Sequence, residues 1–112
     1  MRETKKIMIQ GEEWTIKYAT MQEDPILQNA NGYTDHTIRT IVIEDLPREP
    51  DSLKDLNVYE KSVIRHEIIH AFLDESGLRQ NSNWARNEEM VDFFALQFPK
   101  LLKVFKELEV EK

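Results

Sequence analysis

Val63-Ile64-Arg65-His66-Glu67-Ile68-Ile69-His70-Ala71-Phe72-Leu73 is the stretch that decides how this chain folds. Its apolar members Val63, Ile64, Ile68, Ile69, Phe72 and Leu73 recur at helical spacing. Inside it, His66, Glu67 and His70 form an HExxH pattern, and the chain has only three histidines. Residues four apart share a helix face, so both imidazoles can reach one metal ion. Glu67 projects about 100° round the helix from His66, close enough to hold the water that a metal would activate.

Working outward, a helix of about twenty residues is predicted from Asn57 to Gly77. Asn57 and Glu60 have capping-box spacing, and Gly77 is the C-terminal stop. A second helix is predicted to begin between Ser82 and Asn87, with an apolar stripe of Met90, Phe93, Phe94, Leu96 and Phe98. Pro99 is expected to end or kink it, leaving Phe98 to Leu108 as a separate short helix and Glu109 to Lys112 as a frayed tail. Upstream, Ile7-Met8-Ile9 and Trp14-Thr15-Ile16-Lys17-Tyr18 read as two strands around a Gln10-Gly11-Glu12-Glu13 turn. Residues 20–35 read as irregular. Thr37 to Ile43, β-branched apart from Arg39, reads as a third strand closed off by Pro47 and Pro50. Trp14, Trp84, Phe93 and Phe94 are expected in the core.

The composition narrows the classes. One domain spanning 1–112 is expected, because the length leaves no room for a second sizeable core. A net charge of −6 without any Lys/Arg run argues against a general nucleic-acid binder. No stretch approaches a membrane span, and no apolar segment of signal-peptide type follows the N-terminus. There are no cysteines, so any metal must be held by nitrogen and oxygen ligands. That absence also fits a cytoplasmic location.

Catalytic zinc takes three protein ligands and leaves one position for water. His66 and His70 supply two, so the third must be a carboxylate or His36. Asn87-Glu88-Glu89-Met90-Val91-Asp92, opening the second helix, is the best source. Glu88 is preferred over Glu89 because only Glu88 stands four residues before Asp92. Asp92 can then accept a hydrogen bond from the back of one histidine ring. Asp74, four after His70, is a weaker candidate ligand.

HExxH with a downstream Asn-Glu-x-x-x-Asp, here Asn87, Glu88 and Asp92, resembles the gluzincin metallopeptidases. The short chain, Ala71 after the motif, and Asp92-Phe93-Phe94-Ala95 followed by Pro99 look most like the minimal ImmA/IrrE-type zincins, which are common on phages. The likeness covers roughly residues 57–100. This chain departs from the family pattern at Ile69, where glycine is common, and at Val91, where alanine is common.

The resemblance implies a small α+β zincin-like domain. A short antiparallel sheet of about three strands would lie on the HExxH helix, beside a second ligand-bearing helix. It implies a zinc metallopeptidase in which Glu67 is the general base. The substrate would be an intracellular protein segment, such as a repressor-type regulator. Thr37 to Ile43 would be the edge strand that holds substrate extended, with His36, Tyr33 or Tyr59 near the oxyanion. The alternative is a catalytically silent metal-binding module that acts by interaction.

Overall fold

The computed structural model describes residues 2–46 and 55–112. Pro47 and Pro50 lie outside the described residues. The chain is α+β, with four strands rather than about three and a mixed rather than antiparallel sheet. Strands β1 (Lys5–Ile9), β2 (Glu12–Ala19), β3 (Gly32–Asp35) and β4 (Thr40–Glu44) are arranged in the order β1-β2-β4-β3. The β1–β2 and β3–β4 pairs are antiparallel, and β2 runs parallel to β4.

Local chemistry accounts for the two hairpins. Ile9 pairs with Glu12, so the first loop shrinks to Gln10-Gly11, and Glu12 and Glu13 belong to β2. Both loop residues have positive φ, 50° and 84°, which matches the twist of a tight hairpin and suits glycine at the second position. The second hairpin corrects two expectations. Residues 32–35 form β3, although 20–35 reads as irregular, and the third strand starts at Thr40 rather than Thr37. Asp35 accepts a hydrogen bond from the Thr37 N–H, and Arg39 takes a φ of 45°, so residues 36–39 turn instead of extending.

Helix α1 (Leu56–Glu75) crosses one sheet face. Its N-cap is Asp55, whose Oδ1 accepts from the Val58 N–H, and not Asn57. Glu60 is therefore no capping-box partner. It is buried and takes an ion pair from Arg2. Val63, Ile64, Ile68 and Ala71 meet Ile9, Trp14, Ile16, Ile41 and Ile43 of the sheet. Ile69 and Leu73, round the helix, meet Ala85, Met90 and Val91. Gly77, left-handed at φ 80°, ends the segment and leads into α2 (Leu78–Asn81), a single helical turn. The C-terminal end of α1 is tied to the sheet by Glu75, which accepts from the Trp14 indole N–H and from Arg39.

Helix α3 (Glu88–Glu107) corrects the reading at Pro99, because it runs unbroken through the proline. A proline at 99 leaves the Ala95 carbonyl without its helical donor. Arg65 of α1 fills that vacancy, with its Nε donating to the Ala95 oxygen at 2.6 Å. Trp14 is fully buried as expected, but Trp84, Phe93 and Phe94 are exposed.

Arg65→Met is expected to lose about 1–3 kcal/mol, and less in a Pro99→Ala background where the carbonyl regains a donor. A urea-denaturation double-mutant cycle measures the difference. Glu75→Gln is expected to lower stability at neutral pH. Hydrogen bonding to Arg39, against a smaller desolvation effect, holds the Glu75 carboxyl below the usual range. Its ionic contribution is then full above the unfolded value, near about 4.3, and lost as pH falls through the lower folded one. The gap between wild type and variant should therefore narrow in acid, as read by urea melts at several pH values.

Candidate metal centre

The site is built where α1, α3 and β3 converge. Burial of α1 on the sheet and on α3 leaves a strip that carries His66, Glu67 and His70 towards a cavity of about 640 Å³. One wall is the strand segment Asn31 to Thr34, and Glu88 and Asp92 of α3 close the other side. Asn87 sets those two carboxylates. Its Oδ1 accepts from the Met90 N–H at 2.8 Å, so the helix begins at Glu88, and both acids occupy its N-terminal turns, where the dipole favours them.

His66 Nε2, His70 Nε2 and Glu88 Oε1 form a triangle with sides of 3.0, 3.0 and 3.1 Å. Tetrahedral zinc bound at about 2.0–2.1 Å sets neighbouring donors about 3.3 Å apart, so the triangle fits one small cation. These three are the group that could hold a metal ion among the described residues. The tautomers point the same way. Asp92 Oδ1 lies 2.9 Å from His66 Nδ1, which places the ring proton there and leaves a lone pair on Nε2. That lone pair faces Glu88 Oε1 and His70 Nε2, where either a bound cation or a proton carried on His70 Nε2 would bridge the three atoms. Asp92 orients the His66 ring alone. The His70 ring is held by burial, and its Nδ1 has no partner among the described residues.

Glu67 is buried, and its carboxylate has one fixed contact: Thr34 Oγ1 of β3 donates to Oε1 at 2.8 Å. Burial pushes the Glu67 carboxyl up, partly offset by the Thr34 bond and the two histidines. For Glu88, burial acts upwards but is outweighed by hydrogen bonds and charge from His70 and His66, which hold it below the usual carboxylate range.

The remaining candidates separate. Glu89 is exposed on α3 and is absent from both the triangle and the cavity wall. His36 is exposed in the β3–β4 turn, away from the cavity. Tyr33 and Tyr59 line the cavity, but their hydroxyls donate to Asp24 and Asn31. Burial, then the Asp24 bond, pushes Tyr33 up to about 12. Asp74 is buried and paired with Arg79 at 3.1 Å, so it is engaged away from the metal triangle. Two residues of the cavity wall had no local mark in the sequence. Thr34 and Glu67 are thirty-three residues apart and meet only through the fold. Arg79, tethered by Asp74, is the only guanidinium on the cavity wall among the described residues.

The edge strand also differs from expectation. β4 is interior, and β3 is the edge that runs beside the HExxH helix. Gly32 allows the close approach. A Cβ there would lie 3.1 Å from the Val42 carbonyl oxygen, 3.1 Å from Val63 Cγ1 and 3.3 Å from Glu67 Cγ.

No family model, curated protein or solved structure matches this chain.

Gly32→Ala is expected to push β3 away from Val63 and Glu67 and to cost about 1–3 kcal/mol through overpacking against backbone. Urea denaturation gives the cost. An unchanged stability would mean that strand and helix are not held this tightly.

Proposed function

We propose that this protein is a zinc-dependent metallopeptidase, hydrolysing a peptide bond in a protein segment held extended beside β3. The observation that carries the reading is the His66, His70 and Glu88 triangle, set in a cleft that also contains the buried Glu67 carboxylate. Two imidazoles and one carboxylate with no thiolate suit zinc.

A zinc ion bound there supplies a Lewis acid and lowers the pKa of a water in the cleft. The protein's own groups do the rest. Thr34 occupies Glu67 Oε1 and leaves Oε2 to take the proton of the attacking water. Glu67 then returns that proton to the nitrogen of the leaving amine. Burial keeps Glu67 a stronger base than an exposed carboxylate. Asp92 holds the His66 ring so that Nε2 faces inward. Among the described residues β3 pairs with β4 on one side only, so its other edge offers main-chain donors and acceptors to an extended peptide. The substrate class in this reading is an intracellular protein, with a repressor-type regulator as the first to try.

A second reading, a catalytically silent metal-binding module, draws on the oxyanion side. Tyr33 and Tyr59 have committed hydroxyls, and His36 is outside the cavity. Arg79 remains as the cationic donor on the wall.

Elemental analysis after purification without a chelating tag is expected to find one zinc per chain in wild type. His66→Ala and Glu88→Ala should lose it, and Glu89→Ala should keep it. Asp92→Asn should weaken zinc affinity about 10–100-fold in chelator competition. Glu67→Gln should keep zinc and lower peptide cleavage about 10²–10⁴-fold. A zinc-free wild type, even after incubation with zinc, overturns the metal site. Retained zinc with no cleavage in wild type, or a cellular effect that survives Glu67→Gln, selects the silent module.

A further inference from the structure

Charge is unevenly placed on the cavity wall. Glu67, Glu88 and Asp92 are acids, and Arg79 is the one Lys or Arg that lines the cavity among the described residues. Arg79 stands at the end of the strip that carries the metal triangle. Asp74 follows His70 by four residues, so it lies on the same side of α1, about 6 Å further along. Its side chain is 1% exposed, and both its oxygens accept from Arg79 Nη1, at 3.3 and 3.1 Å. The backbone under Arg79 is fixed as well. Gly77, left-handed, turns the chain back, Ser76 Oγ accepts from the Leu78 N–H at 3.2 Å, and the Arg79 carbonyl accepts from Arg86 Nη1 at 2.9 Å.

A counter-ion for Asp74 needs no more than this, yet most of the guanidinium is left over. Nε and Nη2 have no partner among the described residues, and the side chain is 34% exposed. Those two nitrogens make the edge of the guanidinium with two parallel N–H groups, which pairs side-on with a carboxylate. The tether on Nη1 has already removed freedom from a long side chain, so little more is lost when a ligand binds. Asp74 also balances the charge of Arg79, so the pair attracts little at a distance and reads an acid at contact.

The strand edge leads to the same place. The Glu44 N–H donates to the Asn31 carbonyl at 2.8 Å. In an antiparallel ladder such bonds recur at every second residue, so Tyr33 and Asp35 also turn their main-chain groups towards β4, and those of Gly32 and Thr34 face the free edge. β3 runs in the same direction as α1, since Asn31 meets Tyr59, Gly32 approaches Val63, and Thr34 bonds Glu67. A peptide paired with Gly32 and Thr34 therefore passes Glu67 and continues towards Arg79. Extended chain covers about 3.3 Å per residue, so Arg79 is reached within about three residues of the cleaved bond. We infer that Arg79 selects the substrate, with its Nε and Nη2 taking a carboxylate that the peptide carries at that distance. Glu67 and Asp92 repel such a group elsewhere on the wall, so it is accepted in one place. The carboxylate comes from an Asp or Glu side chain or from a free C-terminus. This inference rests on the peptidase reading.

The test uses two random octapeptide libraries, one with free and one with amidated C-termini. Each is incubated with zinc-loaded wild type, and the cleaved bonds are read by mass spectrometry. Asp or Glu is expected at one fixed position near the bond in both libraries. Cleavage confined to the free library, close to its C-terminus, identifies a terminal carboxylate instead. For the best-cleaved peptide, replacing that carboxylate by an amide should lower kcat/KM about 10–100-fold, mainly through KM. Arg79→Gln and Arg79→Lys should each do the same with zinc content unchanged, and the amide peptide with Arg79→Gln should lose little more than either change alone. Arg79→Lys keeps a cation beside Asp74, so it carries the test if Arg79→Gln does not fold. An Arg79 that only neutralises Asp74 would lower stability when replaced and leave the cleavage preference unchanged, which overturns the inference. Cleavage with no acidic position and no need of a free C-terminus also overturns it and leaves the peptidase reading standing. A zinc-loaded wild type that cleaves neither library removes that reading and this inference together.

Discussion

The arrangement depends on α1 being held from two sides. One face is fixed on the sheet through Val63, Ile64, Ile68 and Ala71, and another on α3 through Ile69 and Leu73. A helix gripped twice cannot rotate without exposing one apolar face or the other. The strip between the grips is therefore fixed to within a small angle, and His66, Glu67 and His70 occupy it. Two buried acids reinforce the register. Glu60 near the start is paired with Arg2, and Asp74 near the end with Arg79. Each would be left as an uncompensated buried charge if the helix turned. The core thus sets the geometry of the site before any ligand arrives.

Two carboxylates in one cleft are driven in opposite directions by this arrangement. Glu67 lies inside the grip, where burial raises it and a single hydroxyl from Thr34 holds one oxygen. Glu88 stands on the rim at the start of α3, where two imidazoles hold it down. Carboxylates separated by their environments in this way take separate roles, one suited to accept a proton and one suited to remain charged. The proposed roles of base and ligand need both helices, since Glu67 is lifted by burial on α1 and Glu88 is placed by the Asn87 cap on α3.

The parts of this fold that were legible are those with a local code. The period of α1, the Gly77 stop, the apolar side of β2 and the Asn87-Glu88-x-x-x-Asp92 run are written within a few residues each. β3 has no such code. Gly-Tyr-Thr-Asp is a poor strand sequence, and its extension comes from pairing with β4 and from the close seat against Val63 and Glu67. Thr37-Ile38-Arg39 shows the reverse. It is rich in strand formers, yet the Asp35 side chain and the positive φ of Arg39 make it a turn. The strand-forming residues therefore lie on the turn and the interior arm of this hairpin, while the edge arm is Gly32–Asp35. Pro99 does not break the helix because Arg65, thirty residues from Ala95 on another helix, supplies the donor that the proline lacks.

α3 shows how little surface a chain of this size can conceal. Its first two turns carry Glu88 and Asp92 and seat against α1 through Val91 and Ala95. Pro99 follows one turn later, and Arg65 repairs the backbone there so that the helix continues as one rod. The helix carries Phe98 beside the proline and Leu101 and Phe105 beyond it, and the two phenylalanines stay exposed. Exposed apolar side chains of that size cost solubility wherever they remain uncovered. Arg65, reaching across from α1, thereby steadies the stretch of α3 that follows Glu88 and Asp92.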